Sequence, residues 1–354
     1  RRLFSASRRC SSTMPAWVID KYGNNDVLRF TKNASFPVIS YPNEVIVKVF
    51  AAGLNPIDVA MRGGYGAATF SMQRDPLNIT QSGSEFPLVL GRDVSIRIPE
   101  PPSDPPTSPG NISIFAIEGS TLVSHKPKSM SHTEAAAIPY VATTVWSALV
   151  NTGGLTKENC GTKRILILGG SGGVGTFAIQ FLKAWGAHVT VTCSHNAQHL
   201  VRALGADCVV DYTAGPVKEL LEALGWKFDL ILDNVGGETE CWAPSLLQPW
   251  RGSKYITLVT PFLQNTDMLG IADGMVKTAA SLAASVFRHM VKGVHYRWGF
   301  FAASGPALDE IRDMVHARQV QAVVEDMFGF SQVPEAFQRI EKGHARGKTV
   351  VQIS

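Results

Sequence analysis

The chain has 354 residues and a formal net charge of +4, and this length predicts about two domains with a sizeable buried core. The excess charge comes from Arg1, Arg2, Arg8 and Arg9, so residues 14–354 are formally neutral, which argues against a nucleic-acid-binding surface. The five cysteines form no C-x-x-C pair, and this sparse use favours a reducing compartment without a disulfide framework. No uninterrupted apolar stretch approaches the ~20 residues of a membrane span.

The first 13 residues, R-R-L-F-S-A-S-R-R-C-S-S-T, are rich in Arg and Ser and contain no acid. This composition is typical of a mitochondrial transit peptide, and a disordered basic tail is the alternative. We therefore expect a mitochondrial protein, in the matrix or attached to a membrane.

Short strands are predicted next, over Ala16–Ile19, Val27–Phe30, Glu44–Phe50 and Phe86–Gly91. The third strand runs into A-A-G-L-N-P-I-D, where Gly and Asn-Pro predict an irregular loop. Its short polar residues, Asn55 and Asp58, follow a strand end and could contact a ligand. An Asx-turn that only shapes the loop explains them equally well.

A proline-rich segment follows, with six of the chain's twenty prolines between Pro99 and Pro109. Proline supplies no N–H to a sheet ladder, so this stretch should be extended and solvated. An inert linker explains it better than a proline-recognition role. Within the atypical segment 96–121, only Ile112–Ile117 has the character of a strand.

The chain then changes to alternating strands and helices. Ser131–Glu134 is a capping box that predicts a helix, which Pro139 should kink. Arg164–Leu168 predicts a buried parallel strand, and G-G-S-G-G-V-G and a helical pattern over Thr176–Trp185 follow it. Strand, glycine loop and helix together predict a site where a pyrophosphate meets the first turn of a helix. A glycine loop without a ligand is the alternative.

The predicted strand His188–Cys193 ends at Ser194-His195-Asn196. A site for NAD usually places an acid about 20 residues past the glycines, to bind the ribose 2′-hydroxyl. Because no acid stands here and these three residues can donate hydrogen bonds to a 2′-phosphate, the sequence favours NADP over NAD.

Further strands are predicted over Cys208–Val210, Phe228–Leu232, Lys254–Thr260, Val294–Phe301, Phe328–Phe330 and Thr349–Ile353. Ligands bind at the carboxyl ends of such strands, which makes Tyr212, Asn234, Leu258 and Thr260 candidate wall residues. The loop 343–348, G-H-A-R-G-K, has the composition of an anion-binding loop, and an ordinary polar turn explains it equally well.

Six of these stretches together resemble one known family, the quinone oxidoreductase branch of the medium-chain dehydrogenase/reductases. They are A-A-G-L-N-P-I-D, I-P-Y-V-A-T-T-V-W-S-A-L, G-G-S-G-G-V-G, L-G-A-D-x-V-x-D-Y, D-N-V-G-G and H-A-R-G-K-T-V. The resemblance implies an α/β fold in which a GroES-like β-rich catalytic domain (14–145 and 305–354) encloses a Rossmann domain with a doubly wound parallel sheet (146–304). The segment 96–121 lacks the family's motifs, so we expect the first domain to be incomplete there.

The resemblance also implies NADPH-dependent hydride transfer, without zinc, to a quinone or related conjugated carbonyl, with a link to ubiquinone metabolism. Asn55 is then the catalytic residue, beside the nicotinamide and the substrate carbonyl. Zinc-using relatives carry ligands where this chain has Asn55 and Arg92. The residues expected at the cofactor are Ser171, Gly172, Gly173, Val174, Ser194, Tyr212, Asn234, Leu258, Thr260, Phe300, Phe301, His344, Ala345, Arg346 and Gly347.

As partners, the resemblance implies a membrane protein of the reticulon type and leaves room for a homo-oligomer. A rival hypothesis is an NADPH-binding interaction protein with little or no turnover, because the segment 96–121 replaces part of the catalytic domain.

Overall fold

The structure is a computed structural model, and it describes residues 13–37, 44–68, 86–97, 113–118 and 124–353. The predicted leader, apart from Thr13, and the prolines of 99–109 lie outside the described residues. The strands are β1 Thr13–Val18, β2 Arg29–Ser35, β3 Glu44–Leu54, β4 Asp93–Arg97, β5 Ser113–Glu118, β6 Arg164–Leu168, β7 His188–Cys193, β8 Cys208–Asp211, β9 Leu230–Asp233, β10 Lys254–Thr257, β11 His295–Trp298, β12 Val324–Gly329 and β13 Lys348–Gln352.

Short and long helices connect these strands. Within the described ranges they are α1 Pro56–Arg62, α2 His132–Ala136, α3 Pro139–Trp146, α4 Lys157–Cys160, α5 Gly173–Ala184, α6 Gln198–Ala203, α7 Val217–Glu222, α8 Thr239–Trp242, α9 Phe262–Leu269, α10 Ile271–Met290, α11 Gly305–His316 and α12 Val333–Glu341.

Six strands form a parallel sheet in the order β11-β10-β9-β6-β7-β8. The apolar residues of β6 alternate between its two faces: Ile165 and Ile167 belong to one hydrophobic cluster, whereas Leu166 and Leu168 belong to another. Burial on both faces explains why these strands have uninterrupted apolar sequences. From β6 the chain adds β7 and β8 on one side, and it then crosses to add β9, β10 and β11 on the other side of β6. This reversal makes the end of β6 a topological switch point. The predicted doubly wound sheet is confirmed.

The second sheet has the order β12-β13-β3-β4, and β5 also pairs with β3. The last strand, β13, is antiparallel to β3, so it joins the end of the chain to its beginning. The predicted strand character of Ile112–Ile117 is confirmed by β5, whose residues 113–118 pair with residues 44–49 of β3. The domain boundaries, and the expectation that the first domain is incomplete over 96–121, stay predictions.

Several expectations for the first region are wrong. Phe86–Gly91 forms no strand: Leu88 makes an isolated bridge to Ile19, and the strand begins only at Asp93. The strand predicted over Val27–Phe30 begins at Arg29, after a short 3-10 turn.

The irregular loop expected at Asn55-Pro56 is instead the start of α1. Proline at the first helical position needs no N–H partner, and the Asp58 carboxylate accepts a hydrogen bond from the Asn55 N–H at 2.8 Å. The other capping box is confirmed, because Ser131 and Glu134 exchange hydrogen bonds at the start of α2. The helix breaks before Pro139, as predicted.

Two adjacent helices, α9 and α10, were not predicted. α10 has 20 residues and precedes β11, the edge strand of the parallel sheet. None of the helices in the described ranges combines the length and the apolar character that crossing a membrane requires.

Candidate active site

The glycine loop after β6 makes a turn that requires glycine at two positions. Gly169 has a φ of +78°, in the left-handed region that favours glycine. A Cβ atom at Gly175 would lie 2.4 Å from the Gly169 carbonyl oxygen, so only glycine lets α5 cross so close to the strand. The first turn of α5 therefore stands directly behind the loop, with N–H groups that have no partner inside the helix.

The sequence-predicted wall residues follow five of the six strands of the parallel sheet. Ser194 follows β7, Tyr212 follows β8 and Asn234 follows β9, while Leu258 and Thr260 follow β10 and Phe300 and Phe301 follow β11. Because carboxyl ends of parallel strands share one edge, all these residues lie on the side of the sheet that holds the glycine loop.

The tail loop 344–347 lies along the same edge. Gly347 makes a parallel bridge to Gly172, and the His344 Nδ1 lies 3.4 Å from the Tyr212 hydroxyl. The loop thus spans from the end of β8 to the glycine loop. Arg346 is exposed, and its backbone N–H donates to Glu325 at 2.7 Å, which leaves its guanidinium on the outside of the loop.

An open cleft of about 540 Å³ lies beyond the end of β7, lined by His195, Gln198, His199, Arg202 and Ala203. Sequence reasoning found His195 here but missed His199 and Arg202, which α6 presents one turn later. The structure also places an acid from the end of β8 beside this cleft: the Asp211 carboxylate lies 3.1 Å from the His195 Nδ1.

Asp211 is already satisfied by its neighbours. Its two oxygens accept hydrogen bonds from the Thr213 N–H and hydroxyl and from the Gln198 amide. These bonds, with the Thr213 hydroxyl first, hold the pKa of the Asp211 carboxyl below its usual range. The carboxylate therefore positions His195 and Gln198 rather than standing free for a ribose hydroxyl.

A buried polar cluster lies between the second sheet and the glycine loop. The Lys348 Nζ donates to the Asn55 Oδ1 at 2.5 Å, to the Asp93 carboxylate at 2.8 Å and to the Leu54 carbonyl at 3.0 Å. The Asn55 amide in turn donates to Asp93 at 3.0 Å. All three hydrogen-bonding directions of the ammonium are used, which is what a buried lysine requires.

Lys348 also touches the cofactor loop. A Cβ atom at Gly173 would lie 2.8 Å from the Lys348 Cδ, so the aliphatic part of the lysine packs on the start of α5. One side chain thus joins the glycine loop to Asn55. Sequence reasoning placed Lys348 in an anion-binding loop, but its ammonium points into the second sheet.

Asn55 itself is 3% exposed, and both polar atoms of its amide already have partners. Its catalytic role stays a prediction. The amide has one N–H left to offer a substrate, because Asp93 takes a single hydrogen bond from it.

Asp58 is the second acid of the cluster. One of its oxygens accepts a hydrogen bond from the Asn55 N–H, and the other is buried with no hydrogen-bond partner among the described residues, 3.8 Å from the Arg92 Nε. Burial raises the pKa of Asp58 to about 6, against the opposing effects of the Asn55 N–H, Arg92 and Lys348. The carboxyl can therefore exchange a proton near neutral pH.

An aromatic wall stands beside this cluster. The Tyr140 ring stacks on Phe301 with centroids 4.8 Å apart, and Phe300 packs edge-on against Phe262. The Tyr140 backbone N–H donates to Asp93 at 2.5 Å, which holds the start of α3 against the polar cluster that contains Asn55. Tyr140 stood inside a quoted motif, but its role was missed, because only the fold brings the start of α3 against the end of β11.

In the described part of the chain, no three His, Cys, Asp or Glu side chains form a group that could hold a metal ion. Asp58 and Asp93, the acids nearest to Asn55, are engaged by Arg92 and Lys348. The cluster is thus built around a lysine ammonium.

Comparisons with known proteins agree with this architecture. A family model described as "Zinc-binding dehydrogenase" matches residues 204–351. The zebrafish protein "NAD(P)H oxidoreductase RTN4IP1, mitochondrial" is 66% identical, and the alignment covers 99% of this chain and 93% of that protein. The chain belongs to the family of this mitochondrial NAD(P)H oxidoreductase. It is thus a medium-chain dehydrogenase/reductase, and the predicted family and fold class are confirmed.

Two more matches extend the comparison. The Caenorhabditis elegans "Reticulon-4-interacting protein 1, mitochondrial" is 33% identical over 99% of this chain and 97% of that protein. The solved "quinone oxidoreductase from Coxiella burnetii" shares the fold, with a TM-score of 0.75 and 22% identity over 97% of this chain and all of that one. The mitochondrial location predicted from the leader agrees with the names of the relatives.

The chain is therefore an NAD(P)H-using oxidoreductase, and its site fits a dinucleotide. A Cβ atom at Gly172 would meet nothing within 4 Å, which leaves room in front of α5. The buried Asn234 Oδ1 has no hydrogen-bond partner among the described residues and can accept a bond from a ligand. Ser171, Gly172, Gly173 and Val174 would hold the pyrophosphate of the nicotinamide cofactor.

Proposed function

We propose that this protein is an NADPH-dependent reductase of quinones or related conjugated carbonyls, with a role in ubiquinone metabolism. The observation that carries the proposal is the Tyr140–Phe301 stack beside the cluster of Asn55, Asp93 and Lys348. A flat ring bearing a carbonyl can lie against the aromatic wall while the polar cluster faces its oxygen.

A nicotinamide held by the glycine loop and the tail loop would supply a hydride to the acceptor, and one proton would complete the reduction to the hydroquinone or the saturated carbonyl. The chain's own contribution is placement and electrostatics. The tail loop and glycine loop fix the cofactor, and the aromatic wall excludes water from the acceptor ring.

Negative charge develops on the acceptor oxygen during this transfer. The remaining N–H of Asn55 can donate to that oxygen, and Lys348 keeps the amide in the required orientation by binding its Oδ1. Burial raises the pKa of the Tyr140 phenol, so this hydroxyl stays a neutral donor at the same end of the site.

The choice of NADPH over NADH is supported by the cleft beyond β7. His195, Gln198, His199 and Arg202 offer donors and positive charge for a 2′-phosphate, and Asp211 is satisfied by Gln198 and Thr213. Arg346 lies on the tail loop and is the residue we propose for a further cofactor phosphate.

The test is oxidation of NADPH by the purified chain with a panel of simple and ubiquinone-like quinones. We expect quinone-dependent loss of NADPH absorbance, at least tenfold slower with NADH at equal low concentration, a difference of about 1.4 kcal/mol. Asn55→Ala should lower turnover without weakening NADPH binding. Stoichiometric NADPH binding with no oxidation across the panel would contradict the proposal and favour the interaction-protein hypothesis.

A reticulon-type membrane protein is the partner we propose, on the strength of the nematode relative's name. Pull-down of a reticulon by the full chain, with and without NADPH, tests this part separately from catalysis.

A further inference from the structure

The outer side of α10 carries an unusual strip of exposed apolar side chains. Thr278 and His289 face the interior, whereas Val276 is 70% exposed and Phe287 is 64% exposed. Met290 and Val291 continue the strip at the C-terminal end of the helix. Phe287 follows Val276 by 11 residues, about three full turns, and Met290 follows Phe287 by three, so the three side chains lie on one side of the helix.

Trp250 extends the strip from a different part of the chain. Its backbone N–H donates to the Gly293 carbonyl at 2.7 Å. A Cβ atom at Gly293 would lie 2.6 Å from the indole, so the ring lies over this turn. The indole is nevertheless 77% exposed. We call Val276, Phe287, Met290, Val291 and Trp250 the apolar strip.

Cations outnumber acids around the strip: the acids beside α10 are Asp273 in its first turn and Glu240, which accepts a hydrogen bond from the Ser285 hydroxyl. Residues 274–308 contain no acid but include Lys277, Arg288, Lys292 and Arg297, and residues 241–266 are also free of acids and include Arg251 next to Trp250. Because residues 14–354 are neutral as a whole, this local excess of positive charge is balanced elsewhere on the protein.

We propose that the apolar strip binds an anionic lipid surface, with α10 lying in the plane of the membrane interface. Apolar and aromatic side chains flanked by Lys and Arg are the combination that interfacial helices use. Trp favours the membrane–water interface because its ring is amphipathic. Each Lys or Arg is in addition attracted to the acidic headgroups. At 20 residues, α10 offers about 30 Å of contact.

A second copy of the chain is the competing occupant, because β11 beside α10 is the edge strand of the parallel sheet. A two-fold interface would bring the same surface of each copy together. Arg251, Arg288 and Lys292 would then gather from both copies, whereas Asp273 lies in the first turn of α10, about 22 Å along the helix from Arg288. This excess of like charge favours lipid.

The strip also adjoins the candidate active site at its other end. α9 leads from Phe262, which packs on Phe300 of the aromatic wall, to the exposed Met268 just before α10. A lipid-bound α10 would therefore hold the mouth of the site near the membrane surface. The lipid binding itself does not depend on the proposed acceptor.

The test is co-sedimentation of the full chain with phosphatidylcholine vesicles, with and without phosphatidylglycerol. Every protein in the series carries Arg1→Ser, Arg2→Ser, Arg8→Ser and Arg9→Ser, so the basic leader does not supply the binding. The two test variants are Phe287→Glu with Met290→Glu, and Arg288→Glu with Lys292→Glu. Matched controls alter exposed residues elsewhere: Met327→Glu, and Lys32→Glu with Lys128→Glu.

We expect binding to the anionic vesicles only, weakened at least tenfold by either test variant and changed by less than about twofold by the controls. NADPH titration of each variant checks that the fold is intact. Binding that is absent, or that the test variants leave unchanged, would overturn the proposal. Sedimentation velocity tests the competing occupant. If the chain is a dimer, and the double variant Phe287→Glu with Met290→Glu is a monomer, this face is an interface between copies and the lipid proposal is wrong.

Discussion

The two ends of the candidate site are built in different ways. At the parallel sheet, the predicted cofactor site consists of backbone and strand-end residues, such as the glycine loop and Ser194, that follow the strands. At the second sheet, the polar cluster draws Asn55, Asp93 and Lys348 from three distant segments and buries them together. A backbone site tolerates side-chain changes that leave room for the ligand, whereas a buried cluster depends on every member.

The largest effect expected from this contrast is at Lys348. Lys348→Met leaves the Asp93 carboxylate buried without its cation and should cost about 3–5 kcal/mol of unfolding free energy, with loss of turnover. Urea unfolding and NADPH oxidation measure both.

Lys183→Met is the matched control, because Lys183 pairs with Asp207 at the surface and should cost about 1 kcal/mol or less. Adding Asp93→Asn to Lys348→Met should recover part of the stability, since no unpaired charge then stays buried. If Lys348→Met and Lys183→Met lower the unfolding free energy by the same small amount, the polar cluster does not stabilise the fold as we infer.

The second prediction concerns pH and Asp58. Its pKa is higher in the folded chain, about 6, than the usual 3.8, so folding favours the protonated form. Its stabilising contribution is present below pH 4 and is lost as the pH rises to about 6, a change of roughly 2–3 kcal/mol at ~1.4 kcal/mol per pKa unit.

Asp58→Asn should therefore reduce the fall in unfolding free energy between pH 4 and pH 7 by that amount, as urea titrations at several pH values would measure. Glu238→Gln, on the exposed surface, is the control and should leave the profile as it is. Identical profiles for the native chain and Asp58→Asn would contradict the prediction.

Two glycines test the other end of the site, which is built from backbone. Gly175→Ala places a methyl group against the Gly169 carbonyl and should cost about 1–3 kcal/mol of stability through overpacking. Gly172→Ala has open space around it, so stability should stay within about 0.5 kcal/mol while NADPH binds at least tenfold more weakly. Urea unfolding and NADPH titration of both variants separate the two effects, and unchanged affinity in Gly172→Ala would place the pyrophosphate elsewhere.

The smallest effect expected is on cofactor choice. Ser194→Asp puts a carboxylate at the end of β7 and should erode a preference of about 1.4 kcal/mol for NADPH over NADH. Dissociation constants for both nucleotides decide this, with Ser331→Asp on the exposed surface as the control. A preference that survives Ser194→Asp would assign the discrimination to His199 and Arg202 instead.

The sequence predicted the parallel sheet well because its inner strands β6, β7 and β9 are buried on both faces, although the edge strand β11 exposes His295 and Arg297. β6 and β7 have the predicted bounds, and the residues expected at their ends lie at one edge. The same local patterns could not reveal the polar cluster. Lys348 reaches Asn55 only through the pairing of β13 with β3, almost the whole chain apart, so its neighbours in sequence describe a basic loop.

The missed helices have a different cause. α1 was hidden because Asn-Pro usually marks a turn, although Pro56 and Asp58 also suit a helix start. α10 carries apolar residues on its exposed side as well as its buried one, which weakens the periodic signal that identifies a surface helix.

The pairing of β13 with β3 also sets the order in which the protein can be made. Synthesis proceeds from the N-terminus, so Asn55 and Asp93 leave the ribosome long before Lys348 exists to bind the amide and neutralise the carboxylate. The second sheet lacks its central strand until that point, whereas all six strands of the parallel sheet are available earlier. A nascent or truncated chain that ends before β13 can thus pair the six parallel strands, but it lacks both Lys348 and the loop 344–347 that bridges to Gly172. The candidate site is complete only when the last strand has been translated.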